Sequence, residues 1–283
     1  MPTLTTSAGS LHYRVAGPDD TDLPPVVFVH VFLVDATLWD RVASLLATAG
    51  MRSYLVDWPL GSHRTPMDDG ADLSPAGLAR LIDEVIGLLG LDGVTLVGND
   101  TGGALCQLVI AGGSTRVGRL VLTNCDAFEH FPPTMFVPLF AAAKHPWLTR
   151  ALVAPMRWRA MRHSPTAYGM LLRTPRDGAL TAGWVSSART NRRIRQDIAR
   201  FARGVDRRSL VDAEPGLRRF DGPVRIVWGT ADRSFKPAFA RRLVETFPDA
   251  TLTEVPDVST FVPIDAPDAV ATAIVGVAAP VSA

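Results

Sequence analysis

Residues 98–103 read Gly-Asn-Asp-Thr-Gly-Gly, between the apolar run Val94–Val97 and an apolar stretch that starts at Ala104. A strand-to-helix turn of the pattern Gly-x-nucleophile-x-Gly holds its central residue in a strained conformation that aims the side chain out of the turn. Small flanking residues are what leave room for it. The central residue here is Asp100. A carboxylate in that place is a candidate nucleophile. The other reading of the same residues is a glycine-rich turn in which Asp100 caps the following helix. The two cysteines, Cys106 and Cys125, both lie in apolar runs and make neither a disulfide framework nor a zinc site. They are expected as small core residues, and no cofactor or metal is implied.

The elements that must position Asp100 are short β-branched runs alternating with amphipathic stretches, the pattern of βα units around a parallel sheet. Strands are expected at Leu11–Val15, Val26–His30, Ser53–Val56, Val94–Val97 and Arg119–Thr123, and helices at Leu38–Ala47, Pro75–Leu89 (capped by Ser74) and Gly102–Ala111. The rhythm breaks at Phe-Glu-His-Phe-Pro-Pro. From there to about Val211 the pattern is helical, divided by Pro132, Pro133, Pro146, Pro155, Pro165 and Pro175. Strands at Val224–Trp228 and Thr251–Val255 and helices at Pro237–Thr246 and Pro267–Val277 resume the alternation, and a small-residue tail follows. The expected fold is therefore α/β, a mostly parallel, doubly wound sheet with a helical cap insertion: residues 1–128 and 212–283 form the core and 129–211 the cap. Ligands of open α/β sheets bind beyond the carboxyl ends of the strands, so the insertion roofs the site.

Composition supports a globular chain. Its 283 residues are 47% hydrophobic and 20% charged, with 23 Gly and 22 Pro scattered without period, which excludes collagen-like, coiled-coil and disordered classes. Net charge is only +1, but His130–Arg208 holds fifteen basic residues against three acidic ones, net +12, and the remainder carries −11. That change of sign marks a compositional boundary. No aromatic interleaving or nucleic-acid motif accompanies the basic segment, and neither an export signal nor a spanning apolar run is present. The expected location is cytoplasmic. The expected partner is a small-molecule substrate, with no nucleic acid or membrane partner, for a monomer or homodimer.

The order of FVHVFLVDATLW, DWPLGSHRTPM, GNDTGG, the insertion beginning near FPP, WGTAD and VSTFVPIDAPD resembles the α/β-hydrolase superfamily over nearly the whole chain. Within it, the closest likeness is to the branch with an aspartate nucleophile, which includes haloalkane dehalogenases, fluoroacetate dehalogenase and epoxide hydrolases. The resemblance implies that Asp100, ionised at neutral pH, attacks an electrophilic carbon and forms an alkyl ester without a base. A histidine supported by a second carboxylate then activates the water that cleaves the ester. Asp232 in WGTAD matches that carboxylate, and Asp126 matches an alternative position. Backbone N–H groups of Phe32 and Thr101 are the implied oxyanion donors, and His30 matches a structural histidine of the oxyanion loop. Trp147, Trp158 and Trp184 of the cap are candidates to line the pocket.

The chain departs from the family where the base should stand. Thr260 occupies the histidine position, and no histidine follows His163. His130 and His163 are the histidines of the insertion nearest to hand. Val31 stands in place of the oxyanion-loop glycine, which puts a Cβ beside those donors. Thr101 replaces the halide-binding Trp of many dehalogenases, and Tyr168 is the insertion's only tyrosine where epoxide hydrolases use a pair. The helix after Asp100 has none of the arginines by which fluoroacetate dehalogenase holds a carboxylate. The expected activity is an Asp100-centred attack on a small or medium apolar alkyl halide, epoxide or ester, with the hydrolytic step compromised at Thr260. The alternatives are a non-hydrolytic lyase, isomerase or cyclase, or a small-molecule binding protein without turnover.

Overall fold

A computed structural model describes residues 1–173 and 178–278; Pro175 and the small-residue tail lie outside them. Eight strands form one sheet: β1 (Thr3–Thr6), β2 (Gly9–Ala16), β3 (Val26–Val29), β4 (Ser53–Val56), β5 (Val94–Asp100), β6 (Val117–Cys125), β7 (Val224–Gly229) and β8 (Ala250–Val255), in the order β1-β2-β4-β3-β5-β6-β7-β8. From β4 onward neighbours are parallel, whereas β1 and β2 pair antiparallel, as do β2 and β4. Strand β1 is not among the strands expected from the sequence, because its exposed, threonine-rich run has no apolar face to announce it. Strands β3, β4 and β5 are buried at every residue, as apolar runs covered by helices on both faces require.

Helices α1 (Asp40–Thr48), α2 (Pro75–Leu88) and α3 (Thr101–Ala111) lie among the first six strands. Ser74 starts α2, its hydroxyl accepting from Gly77 N–H at 3.1 Å with Pro75 in the first turn. Between β6 and β7 come α4 (Val137–Ala143), α5 (Pro146–Val153), α6 (Arg159–Arg162), α7 (Tyr168–Leu171), α8 (Gly178–Thr190), α9 (Arg192–Gly204) and α10 (Ser209–Leu217). The shortness of α4 to α7 follows from the prolines that interrupt them. Helix α10 continues through residue 212 and packs on α3 of the core. After β7 follow α11 (Pro237–Thr246), α12 (Val262–Asp265) and α13 (Pro267–Ala278). Among the described residues no helix is long and apolar enough to cross a membrane.

The inserted helices are tied to the core by buried polar contacts as well as by packing. His63, in the loop after β4, donates through Nε2 to Asp197 Oδ2 of α9 at 2.9 Å, because its Nδ1 already accepts from Gly61 N–H at 3.3 Å. Met67 N–H donates to the same Asp197 oxygen at 3.0 Å, and Arg200 pairs with the other one. Burial alone raises the Asp197 carboxyl, but these hydrogen bonds outweigh it and hold its pKa below the usual range. Tyr168 Oη donates to the Leu33 carbonyl, and Ser62 Oγ to the Trp184 carbonyl, in the same core-to-cap seam.

Replacing Asp197 by Ala strands the buried His63 and Met67 donors and is expected to cost about 3–5 kcal/mol in urea unfolding at neutral pH. Asp69→Ala, which breaks only an exposed pair with Arg193, costs less than about 1 kcal/mol. Because the folded pKa is depressed, the Asp197 contribution is present above the unfolded value of about 3.9 and fades as pH falls through the folded one.

Candidate active site

The turn between β5 and α3 carries Asp100 at φ 52° and ψ −125°, a left-handed conformation unusual for a side-chain-bearing residue. Its neighbours make the turn feasible. A Cβ on Gly98 would lie 2.7 Å from Cys106 Sγ and from the Gly102 carbonyl, and one on Gly102 would lie 2.3 Å from the Val29 carbonyl of β3. The glycines therefore let the elbow press against the neighbouring strand.

The Asp100 carboxylate is held asymmetrically. Its Oδ1 accepts from Thr101 N–H at 2.6 Å and from Thr101 Oγ1 at 2.9 Å, and among the described residues Oδ2 has no such bond. Burial pushes the Asp100 pKa up to about 6, against those two hydrogen bonds, and the Asp232 charge adds to the rise. The Thr101 side chain is a partner that the family pattern did not suggest, since only its backbone N–H was implied. Phe32 N–H, the other implied oxyanion donor, has no backbone partner among the described residues. Beside it, Leu33 N–H donates to Leu60 O at 2.8 Å and Val34 N–H to Val31 O at 3.2 Å. Val31 is accommodated with an ordinary φ, and the left-handed conformation in this loop falls on Leu33 at φ 59°.

His30 is buried and fully engaged: Nε2 accepts from Trp58 N–H at 2.9 Å and Nδ1 donates to Val31 O at 3.1 Å. Burial lowers its pKa, and it organises the loop rather than facing Asp100.

Asp232 and Asp126 are buried near enough to Asp100 for their charges to be felt there. Asp232 Oδ1 accepts from the N–H groups of Ser234 and Phe235 at 2.7 and 3.1 Å, and Oδ2 accepts from Asn124 Nδ2 at 2.8 Å. Burial raises the Asp232 pKa, opposed by those bonds. Asp126 Oδ1 is buried without a hydrogen bond, and burial, with the Asp100 charge added, pushes its carboxyl well above the usual range. Thr260 is wholly buried, its Oγ1 likewise unbonded, while Asn99 Nδ2 donates to its carbonyl at 2.8 Å. The asparagines Asn99 and Asn124, not among the residues expected at the site, tie together the loops that carry Thr260 and Asp232. The signal for them is their place at the ends of β5 and β6, where the strands deliver side chains to the site.

A cavity of about 460 Å³ opens over Asp100 and Thr101 between the loop after β3 and the inserted helices. Phe32, Phe140, Leu139, Met156 and Leu171 supply apolar walls, and Asp100 is the only carboxylate among its lining residues. Asp232, Asp126 and Thr260 do not line it.

The three expected wall residues are elsewhere. Trp147 projects from the outer face of α5 and is 69% exposed, since Thr149 and Val153 form the buried face of that helix. Trp184 is buried, but its Nε1 donates to Thr37 Oγ1 at 2.8 Å and its ring meets Tyr168 and Phe261 edge-on outside the cavity. Trp158 is also exposed, stacked under Arg157. The insertion histidines point away too: His130 Nε2 bonds Ser234 O at 2.9 Å and His163 Nε2 bonds Thr181 Oγ1 at 3.1 Å.

Residues 24–267 match the family model described as the alpha/beta hydrolase fold. The chain belongs to the alpha/beta hydrolase fold family. It is similar to haloalkane dehalogenase 2 of Mycobacterium tuberculosis, with 28% identity over 287 residues that cover 95% of this chain and 92% of the relative. It is similar also to the non-heme chloroperoxidase CPO-A1 of Kitasatospora aureofaciens, 28% identical over 270 residues and covering 89% of each chain. The solved haloalkane dehalogenase DbeA from Bradyrhizobium elkani superposes with a TM-score of 0.77 at 20% identity, covering 97% of this chain and 96% of that one. The enol-lactonase from Burkholderia xenovorans reaches a TM-score of 0.74 at 20% identity, covering 98% and 99%. These two likenesses establish the alpha/beta hydrolase fold; the differing chemistries of such relatives leave the activity to the site itself.

Asp100→Asn is expected to stabilise the protein in a pH-dependent way. A carboxyl whose folded pKa is raised adds nothing below the unfolded value and destabilises progressively as pH climbs through the folded one. Thermal melts should therefore show a gain of up to about 3 kcal/mol for the variant near pH 8 and almost none near pH 4. A gain independent of pH would contradict the raised pKa.

Proposed function

We propose that the protein is an Asp100-centred enzyme acting on small or medium apolar electrophiles, an alkyl halide, epoxide or ester attacked at its alkyl carbon, through a covalent alkyl ester on Asp100. The observation that carries this reading is the carboxylate on its strained elbow, with Oδ1 pinned by Thr101 and an apolar cavity in front of it. In the attack, Oδ2 forms a bond to the electrophilic carbon while the leaving group departs with its bonding pair, as halide, as carboxylate from an ester, or as a ring-opened alkoxide that takes a proton from water. Oδ1 becomes the ester carbonyl oxygen. When water adds to that carbonyl carbon, Oδ1 carries the negative charge, and Thr101 N–H and Phe32 N–H are the donors that stabilise it.

Breakdown of the ester is the slow half. Water addition requires a group to take the proton, and the position of the family's histidine is Thr260, whose hydroxyl is no base at neutral pH. Asp232 and Asp126 are the carboxylates closest to that duty, but neither lines the cavity. The ester is therefore expected to accumulate.

A second reading has an observation of its own. An Asp100 pKa of about 6 suits a proton acceptor, and a cavity without a water-activating group suits a lyase or isomerase step that avoids hydrolysis.

Intact-protein mass after incubation with alkyl halides, epoxides and activated esters separates these readings. A mass increment that is absent in Asp100→Asn, persists in the native chain and turns over in Thr260→His is the expected result. No increment with any class, together with Asp100-dependent exchange of substrate protons with deuterated water, overturns the covalent reading in favour of the second.

A further inference from the structure

The exposed apolar side chains are unevenly distributed. Among the described residues, Met135, Val137, Trp147, Leu152, Trp158 and Met161, half of the large hydrophobic residues that stand exposed, fall within one stretch of the insertion, and its two tryptophans are the only exposed aromatic ones. Leu152 and Met161 line the Asp100 cavity and are themselves more than 40% exposed, which makes them its rim. Trp147 stands one helical turn before Ala151, another lining residue, on the same face of α5. Trp158 lies between Met156 and Met161, both lining residues, and the turn Ala154–Arg157 packs on α5 and on α6. The exposed strip is thus continuous with the mouth of the cavity. Exposed apolar surface of this kind marks an interaction site.

The charge of the strip narrows the partner. From His130 to Arg173 the chain has six basic residues, Lys144, Arg150, Arg157, Arg159, Arg162 and Arg173, and no acidic one. Arg150, Arg157 and Arg159 are exposed, and among the described residues none of them has a carboxylate within ion-pairing distance. Arg157 lies over the Trp158 ring at 3.9 Å, so the cation and the indole are presented together.

We propose that this rim docks on the surface of an anionic phospholipid bilayer, from which an apolar substrate enters the cavity directly. Tryptophan rings are stable at the headgroup level, where one side is apolar and the other wet, and unpaired arginines are drawn to an anionic leaflet. A bilayer supplies both at once without requiring a shaped groove. The docking goes beyond the Asp100 chemistry and does not depend on it. It departs from the expectation of no membrane partner, which rested on the lack of a spanning segment; a surface contact needs none.

The test is co-sedimentation of the full chain with vesicles of phosphatidylcholine containing phosphatidylglycerol, against vesicles of phosphatidylcholine alone. Binding to the anionic vesicles that weakens with salt, falls about fivefold for each arginine removed in the series R150Q, R157Q and R159Q, and is lost in W147A/W158A supports the proposal. Asp100→Asn binds as the native chain does, which keeps this outcome separate from the fate of the covalent reading. No binding, or binding indifferent to lipid charge and to these variants, overturns it. So does a concentration-dependent dimer in size exclusion that W147A/W158A abolishes, because the strip is then covered by a second copy.

Discussion

The strained turn at Asp100 is the constraint around which the rest of the molecule is arranged. A left-handed aspartate between a strand and a helix is stable only if the surrounding backbone determines it on every side. That surrounding is supplied by β3 and β6. The Val29 carbonyl approaches so closely that position 102 admits no side chain, and a Cβ at position 103 would meet Cys125 at 2.4 Å. Burial of the flanking strands then makes relaxation of the turn costly, because any shift opens a packed core.

Electrostatics around the elbow follow from the same burial. Three carboxyl groups, Asp100, Asp126 and Asp232, share a poorly solvated region, and all three have raised pKa values. They differ in how they are compensated. Asp232 is bound at both oxygens, Asp100 at one, and Asp126 has an oxygen with no partner. The group with one satisfied and one open oxygen is also the one that reaches the cavity, a division suited to a nucleophile.

The inserted helices serve two surfaces. Toward the core they close an apolar chamber and are anchored by His63–Asp197, Tyr168–Leu33 and Ser62–Trp184. Toward solvent they present tryptophans and arginines next to the chamber's mouth. The sharp change in charge along the sequence therefore coincides with a surface of distinct chemistry, although many of its arginines, Arg162 and Arg195 among them, are consumed in holding backbone carbonyls of the insertion.

The sequence by itself determined the alternation of strands and helices, the helical insertion and the position of the elbow, because these rest on local periodicity, on prolines and on glycines whose effects act within a few residues. Strand β1 escaped it, since an exposed edge hairpin has no apolar period. Only the tertiary structure decided which side chains face the cavity. Trp147 and Trp184 belong to helices of suitable composition, yet one points to solvent and the other into a packed seam, because facing depends on what each helix packs against. The same holds for His63 and Asp197, separated by 134 residues and joined in one buried hydrogen bond. Contacts of that kind are set by how the chain crosses itself, and no local pattern records them.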